Sequence, residues 1–443
     1  MKKKITRPLA APLAALLAAV ATTFAMSSCG HLSGARQVDI VSYQMVVEGF
    51  DWGPGVTRLI LALAAPVSPA TINNTGFAVS VNREPGFRPV FDDPFETVTQ
   101  TVELTGVFLS NAAGNPVSGN SAFVTLTLEV HPGRGLNPFT FALAPMGNNW
   151  ASPFEVTILT TDGDFTPARS GVITPIADLF EMDGVFLHEG IALQYAAFVP
   201  PQAAASDRPL IVWLHGGGEG SRNLTAAPDV ALLGNRVTQL AAPHIQGIMG
   251  GAHVFVPQSP TMWFAGAAEN AGVSNYEAAL FALLDHYIAT TPGIDRDRIY
   301  VGGCSNGGFM TMRLLFERPE MFAAAWPIAL GYREEWLTPA KIASITHVPI
   351  WMVHDLNDPV ASTPHADSER LYNLLNAAGA PDVYLTSTDG LFSGEFFDDY
   401  GSPWAFDLHW SWVPTLNNEI ARTAGGGPTI FEWMAAQSRL SLP

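Results

Sequence analysis

From about residue 176 of the 443-residue chain, apolar runs of strand length alternate with helix-patterned stretches. This alternation restricts the fold more than any other feature, because strands separated by helices pair in parallel and need helices on both faces. "PLIVWLHG" (209–216), "AHVFVPQSP" (252–260) and "RIYVGG" (298–303) read as buried strands, and "AAAWPIAL", "VPIWMVHD" and "PDVYLTST" as three more. "NYEAALFALLDHYIA" (275–289), "GGFMTMRLLFER" and "TIFEWMAAQ" read as helices, the first with apolar residues at three- and four-residue spacing.

Residues 36–172 follow a different pattern. "VDIVSYQMVVEG", "VTRLILALA", "GFAVSVNRE", "ETVTQTVELTGVFL", "SAFVTLTLEV" and "FEVTILTT" are rich in Val, Thr, Ile and Phe. Several alternate apolar with polar residues, and turn-rich segments such as "SPATINNTG" and "SNAAGNPVSGN" separate them. Six or more short strands without a helical stretch between them predict an all-β sandwich. The chain thus divides into a leader at 1–29, a β-sandwich at 36–172 and an α/β domain at 176–443, with a linker expected in "DGDFTPARSGVITP". Of these residues 36–172 only His131 is a histidine, so this part reads as a structural or accessory module, with polymer or cell-wall binding left open.

The leader, "MKKKITRPLAAPLAALLAAVATTFAMSSCG", has a basic start, an Ala- and Leu-rich run and small residues at its end. That layout predicts a secretory signal, and Cys29 in "MSSC" resembles a bacterial lipoprotein processing site. The expected location is secreted or tethered to the bacterial cell envelope through a lipidated Cys29. The only other cysteine is Cys304, so no disulfide framework is expected. A formal charge of −18 disfavours nucleic acid as a partner.

In "YVGGCSNGGFM", Ser305 stands between Gly303 and Gly307, after a strand and before a helix. A serine hydroxyl attacks a carbonyl only if it is exposed, aimed and relieved of its proton. A sharp strand-to-helix turn exposes it, and glycines tolerate the close backbone approach that the turn imposes. The base and its orienting acid should follow in the order Ser, Asp or Glu, His. Asp358 in "LNDPV" lies after the strand "VPIWMVHD", and is preferred over Asp355, which is placed to cap its own turn. His365 comes seven residues after Asp358, too soon to swing round to Ser305, whereas His409 in "AFDLHWSWV" follows the next strand on a long loop. "LHGGGEGS" (214–221) supplies side-chain-free backbone for an oxyanion hole, with Gly217 and Asn306 as the expected donors. No metal or other cofactor is expected: His354 and Asp358 have helical spacing but fall on a loop, and no ligand set is evident.

Together "PLIVWLHGGGEG", "VFVPQSP", "IDRDRIYVGGCSNGG", "MVHDLNDPV" and "HWSWV" resemble the α/β-hydrolase fold. More narrowly the chain is similar to secreted bacterial esterases with an immunoglobulin-like N-terminal domain, relatives of polyhydroxybutyrate depolymerases and predicted peptidases. The resemblance implies Ser305 as nucleophile, Asp358 as acid, His409 as base, and Gly217 with Asn306 as the oxyanion hole. Trp263 and Trp410 are the aromatic residues expected to line an acyl or alcohol pocket. The expected activity is carboxylic ester hydrolysis on a small or polymeric ester. A serine peptidase, a polyester depolymerase and a non-catalytic wall-binding protein are the alternatives. The stretch "TDGLFSGEFFDDYGSPWAFD" before His409 is long, acidic and aromatic.

Overall fold

The computed structural model describes residues 38–264, 272–423 and 426–441; the expected signal segment and Cys29 lie outside them. The N-terminal part is built mainly of β-strands. One sheet orders its strands as Ala168–Ile173, Ile40–Phe50, Gly53–Val67, Ser121–Leu128 and Leu104–Ser110, and a second as Gly163–Phe165, Phe154–Thr160, Ala78–Arg83 and Val98–Val102. Alternation drives the packing. In Ala78–Arg83, Val79 and Val81 point into the core while Ala78, Ser80 and Asn82 are half-buried. They meet Tyr43, Met45, Leu59, Leu126 and Ile158 there. Three features depart from the expectation above. "SPATINNTG" holds a short helix, Pro69–Thr75, capped by Ser68. The presumed linker contains two strands, the second of which, Ala168–Ile173, pairs in parallel with Ile40–Phe50. A third, three-stranded sheet comprises Phe87–Val90, Phe139–Ala144 and Met146–Trp150.

The C-terminal sheet has eight strands, in the order Glu181–His188, Ile191–Phe198, His253–Gln258, Arg208–Leu214, Ile294–Cys304, Ala324–Ile328, Ile350–Asp355 and Val383–Thr388. The first two pair antiparallel, and the six from His253–Gln258 onward run parallel. Side chains sort by the two-residue period. Leu210, Val212 and Leu214 join a core under the helices Glu277–Thr290 and Asn306–Glu317. Ile211 and Trp213 face the other way, toward Trp326, Phe431 and the helix Ile430–Ala435. That second core is continuous with the interior of the β-rich N-terminal part, so both parts belong to one compact unit.

Polar contacts reinforce the junction. Arg236 pairs with Asp51 at 2.6 Å, and Trp150 Nε1 donates to Asp229 Oδ2 at 2.9 Å. The acidic, aromatic stretch before His409 forms a hairpin, Phe392–Phe397 with Pro403–Ala405, and leans on the N-terminal part. Phe396 packs edge-on against Trp52 at 4.7 Å, Trp404 against His131 at 5.2 Å, and Arg134 pairs with Asp399 at 2.7 Å.

Candidate active site

Ser305 ends the strand Ile294–Cys304 and immediately precedes the helix Asn306–Glu317, with φ 54° and ψ −113°. A positive φ at a non-glycine residue costs on the order of 1–3 kcal/mol, so the surroundings must hold it. They do: the Ser305 N–H donates to Ile328 O at 2.9 Å, and the Phe309 N–H donates to Ser305 O at 3.0 Å. The flanking glycines are required by contact. A Cβ on Gly307 would sit 2.7 Å from His215 O, one on Gly303 2.8 Å from Gly307 C, and one on Gly308 2.9 Å from Ile328 O. The serine is thereby placed at the positive end of a twelve-residue helix.

Asp358 and His409 meet. His409 Nδ1 lies 2.7 Å from Asp358 Oδ2, and the Asp358 side chain is fully buried. Burial alone would raise its pKa. The hydrogen bonds from His354 and His409, the His409 charge and the Val360 N–H outweigh burial and hold the carboxyl well below its ordinary range. His409 is set by its own loop: its N–H donates to Asp407 Oδ1 at 2.9 Å, and its ring stands edge-on to Trp412 at 5.3 Å. Asp355, the rival acid, is occupied by the N–H groups of Asn357 and Gly390 and the Thr388 hydroxyl. His365 is engaged with Ser387 at 2.8 Å. No hydrogen bond joins the Ser305 hydroxyl to His409 in this structure. The two halves of the site approach at Gly331, where a Cβ would lie 3.3 Å from both Ser305 O and Thr363 Cγ2; Thr363 Oγ1 is in turn 3.3 Å from His409 Nδ1. Such bonds are often open before substrate arrives.

The Gly216–Glu219 loop follows the strand Arg208–Leu214. His215 beneath it accepts from Ser259 N–H at Nε2, so its Nδ1–H donates to Gly216 O at 2.6 Å. Burial lowers the His215 pKa to about 4, against that bond, so the ring is neutral near neutral pH. Glu219 reaches back under the loop. Burial pushes its carboxyl up to about 7, against hydrogen bonds from Asn235, Asn148 and the backbone of Gly216 and Glu219. Asn148 belongs to the N-terminal part: its N–H donates to Gly218 O at 2.6 Å and its Nδ2 to Glu219 Oε1 at 3.1 Å. Met146 and Met262 flank Gly217, where a Cβ would lie 3.0 and 3.2 Å from their sulfurs. Asn306 is buried, and its Oδ1 accepts from Trp263 N–H at 2.6 Å.

Two aromatic expectations fare differently. Trp263 has no exposed surface: its indole N–H donates to His215 O at 3.0 Å, and its ring packs on His215. It braces the loop and lines no open pocket. Trp410 is half-buried beside Phe406 and Trp412. Met146, Asn148, His354 and Thr363 were not among the expected site residues. For His354 the four-residue spacing to Asp358 was the available signal; for Met146 and Asn148 nothing local marked them.

An open-sheet fold with a strained serine between strand and helix, and a His–Asp pair on later loops, defines a hydrolase of the α/β class. Residues 42–183 match the family model of the esterase Ig-like N-terminal domain, and residues 264–332 that of the prolyl oligopeptidase family. A solved thermostable esterase aligns over 90% of this chain and 99% of its own, with a TM-score of 0.67 and 25% identity. Est1E from Butyrivibrio proteoclasticus shares 13% identity over 47% of this chain and 89% of its own, with a TM-score of 0.33. An acylaminoacyl peptidase from Pyrococcus horikoshii shares 14% over 75% of this chain and 50% of its own, with a TM-score of 0.37. No curated protein matches the sequence. The chain is a serine hydrolase with an Ig-like N-terminal domain of the esterase type, followed by an α/β-hydrolase-type fold.

Proposed function

We propose that the protein hydrolyses carboxylic esters through Ser305, His409 and Asp358. The 2.7 Å contact between His409 Nδ1 and Asp358 Oδ2, on loops at the same sheet edge as the strained Ser305, carries this reading. Ser305 Oγ attacks the ester carbonyl as His409 Nε2 takes its proton. Negative charge on the former carbonyl oxygen is met by the N–H groups of Gly217 and Asn306. The tetrahedral species collapses, the alkoxide leaves with the proton from His409, and Ser305 remains acylated. Water, deprotonated by His409, then releases the acid and restores the hydroxyl. Buried Asp358 keeps the Nδ1–H tautomer and stabilises the imidazolium. Met146 and Met262 beside Gly217 give the oxyanion loop an apolar flank suited to an acyl chain.

A fluorophosphonate probe should label wild type and not Ser305→Ala, and p-nitrophenyl esters should turn over while peptide anilides do not. Labelling that persists in Ser305→Ala would remove the nucleophile from this position. The match of residues 264–332 to the prolyl oligopeptidase family supports a second reading, amide cleavage by the same residues, and rapid anilide turnover would favour it. We further propose export and tethering through a lipidated Cys29; incorporation of labelled palmitate that survives Cys29→Ser would refute the tether.

A further inference from the structure

We propose that His354 is a positioning residue of the proton relay, sharing one carboxylate oxygen of Asp358 with His409 and thereby setting how strongly Asp358 holds the base. The inference rests on the reading of Asp358 and His409 given above.

His354 lies at the end of the strand Ile350–Asp355, and its side chain has no exposed surface. Its ring is held at both nitrogens. Nε2 is 3.0 Å from Asp358 Oδ2 and 3.0 Å from Thr363 O, while Nδ1 is 2.7 Å from the Ser368 hydroxyl on the helix His365–Ala377. A carboxylate and a carbonyl both accept only, so Nε2 must carry the hydrogen. The hydrogen on Nε2 is shared between Asp358 Oδ2 and Thr363 O, and the Ser368 hydroxyl anchors the ring at Nδ1.

Asp358 Oδ2 therefore accepts from His354 Nε2–H and His409 Nδ1–H, with the Thr363 hydroxyl 3.3 Å from both this oxygen and Val360 O. Its other oxygen takes the Val360 N–H at 2.9 Å. Each added donor disperses the carboxylate charge, so less of it is left for the imidazolium that forms on His409. His354 also fixes which oxygen faces His409. The surrounding charged groups do not compete for that oxygen. His365 stands 5.6 Å from the His354 ring, ring to ring, and bonds Ser387. Asp355 is occupied by its own turn, Asp407 by the His409 N–H, and Glu369 acts on His365 from the helix.

The test is the pH dependence of kcat/KM on a p-nitrophenyl ester, with His354→Met removing the donor at similar volume and His354→Gln retaining an N–H toward Asp358. Melting curves establish that each variant is folded. In His354→Met the acid limb should move up by roughly half to one pH unit and kcat fall about ten- to a hundredfold, with KM within about twofold. His354→Gln should restore the limb. Folded His354→Met with the wild-type limb overturns the proposal. If His354→Met does not fold, His354→Leu takes its place under the same readout: a raised limb supports the proposal and an unmoved limb overturns it. Wild-type turnover in Ser305→Ala or Asp358→Asn would instead strike the underlying reading, whatever His354 does.

Discussion

Replacing Glu219 by glutamine will change how stability depends on pH more than it changes stability itself. The folded Glu219 carboxyl keeps its proton up to about pH 7, whereas the unfolded chain releases it near its ordinary 4.5. Between these values the folded state binds more protons than the unfolded state, so this group makes stability fall as pH rises. At about 1.4 kcal/mol per pH unit the total is about 3 kcal/mol. His215 works in the opposite sense: the folded ring refuses its proton until about pH 4, while the unfolded ring binds one near 6.5, so stability rises across that interval. The two contributions nearly cancel in wild type over the overlapping range. Asp358, held below its ordinary value, adds stability that is lost only as pH falls below about 4, outside this window. Glutamine retains the size and an acceptor for Asn148 but does not titrate. From pH 4.5 to 7, Glu219→Gln should therefore gain about 3 kcal/mol relative to wild type. Urea unfolding followed by tryptophan fluorescence at several pH values measures the difference. Parallel curves for the two proteins would refute the assignment of a neutral, buried Glu219.

Gly307→Ala forces a Cβ onto the Leu214 and His215 backbone and should cost several kcal/mol or prevent soluble expression, read by melting temperature. Asn148→Ala leaves Glu219 Oε1 without its amide and should cost about 1–3 kcal/mol, with the falling limb of the stability curve steepened toward neutral pH. Asp358→Asn should fold, since Val360 N–H and Thr363 remain as partners, yet lose about four orders of magnitude in kcat because the His409 tautomer is no longer held. Near wild-type turnover in that variant would move the acid elsewhere.

The parallel sheet and the serine turn were legible because they depend on short-range pattern: a buried run, a glycine-flanked serine, a helix. Chain order narrowed the candidate base to His365 and His409, and the long loop before His409 selected it; the structure brings that ring to Asp358. What escaped had remote causes. The stretch "DGDFTPARSGVITP" looks like a linker because Ala168–Ile173 is a largely exposed edge strand, and what makes it a strand is its pairing with Ile40–Phe50, far back in the chain. Trp263 reads as a pocket residue because it is an aromatic expected to line the cleft; its N–H is instead spent on His215 O, which no local pattern reveals. Asn148 and Met146 contact the Gly216–Glu219 loop from seventy residues away, through a sheet that the alternation did not mark. The histidine at 354 was visible four residues before Asp358, but its contacts with Thr363 and Ser368 come from residues that no local pattern ties to it.

The hairpin Phe392–Phe397 with Pro403–Ala405 grips the sandwich through Trp52, His131 and Arg134, and the polypeptide leaving it arrives almost at once at His409. Prying the two halves of the molecule apart would drag the imidazole off its acid while the central strands were still intact. Mild denaturant that opens this seam should silence such a hydrolase before its sheet melts.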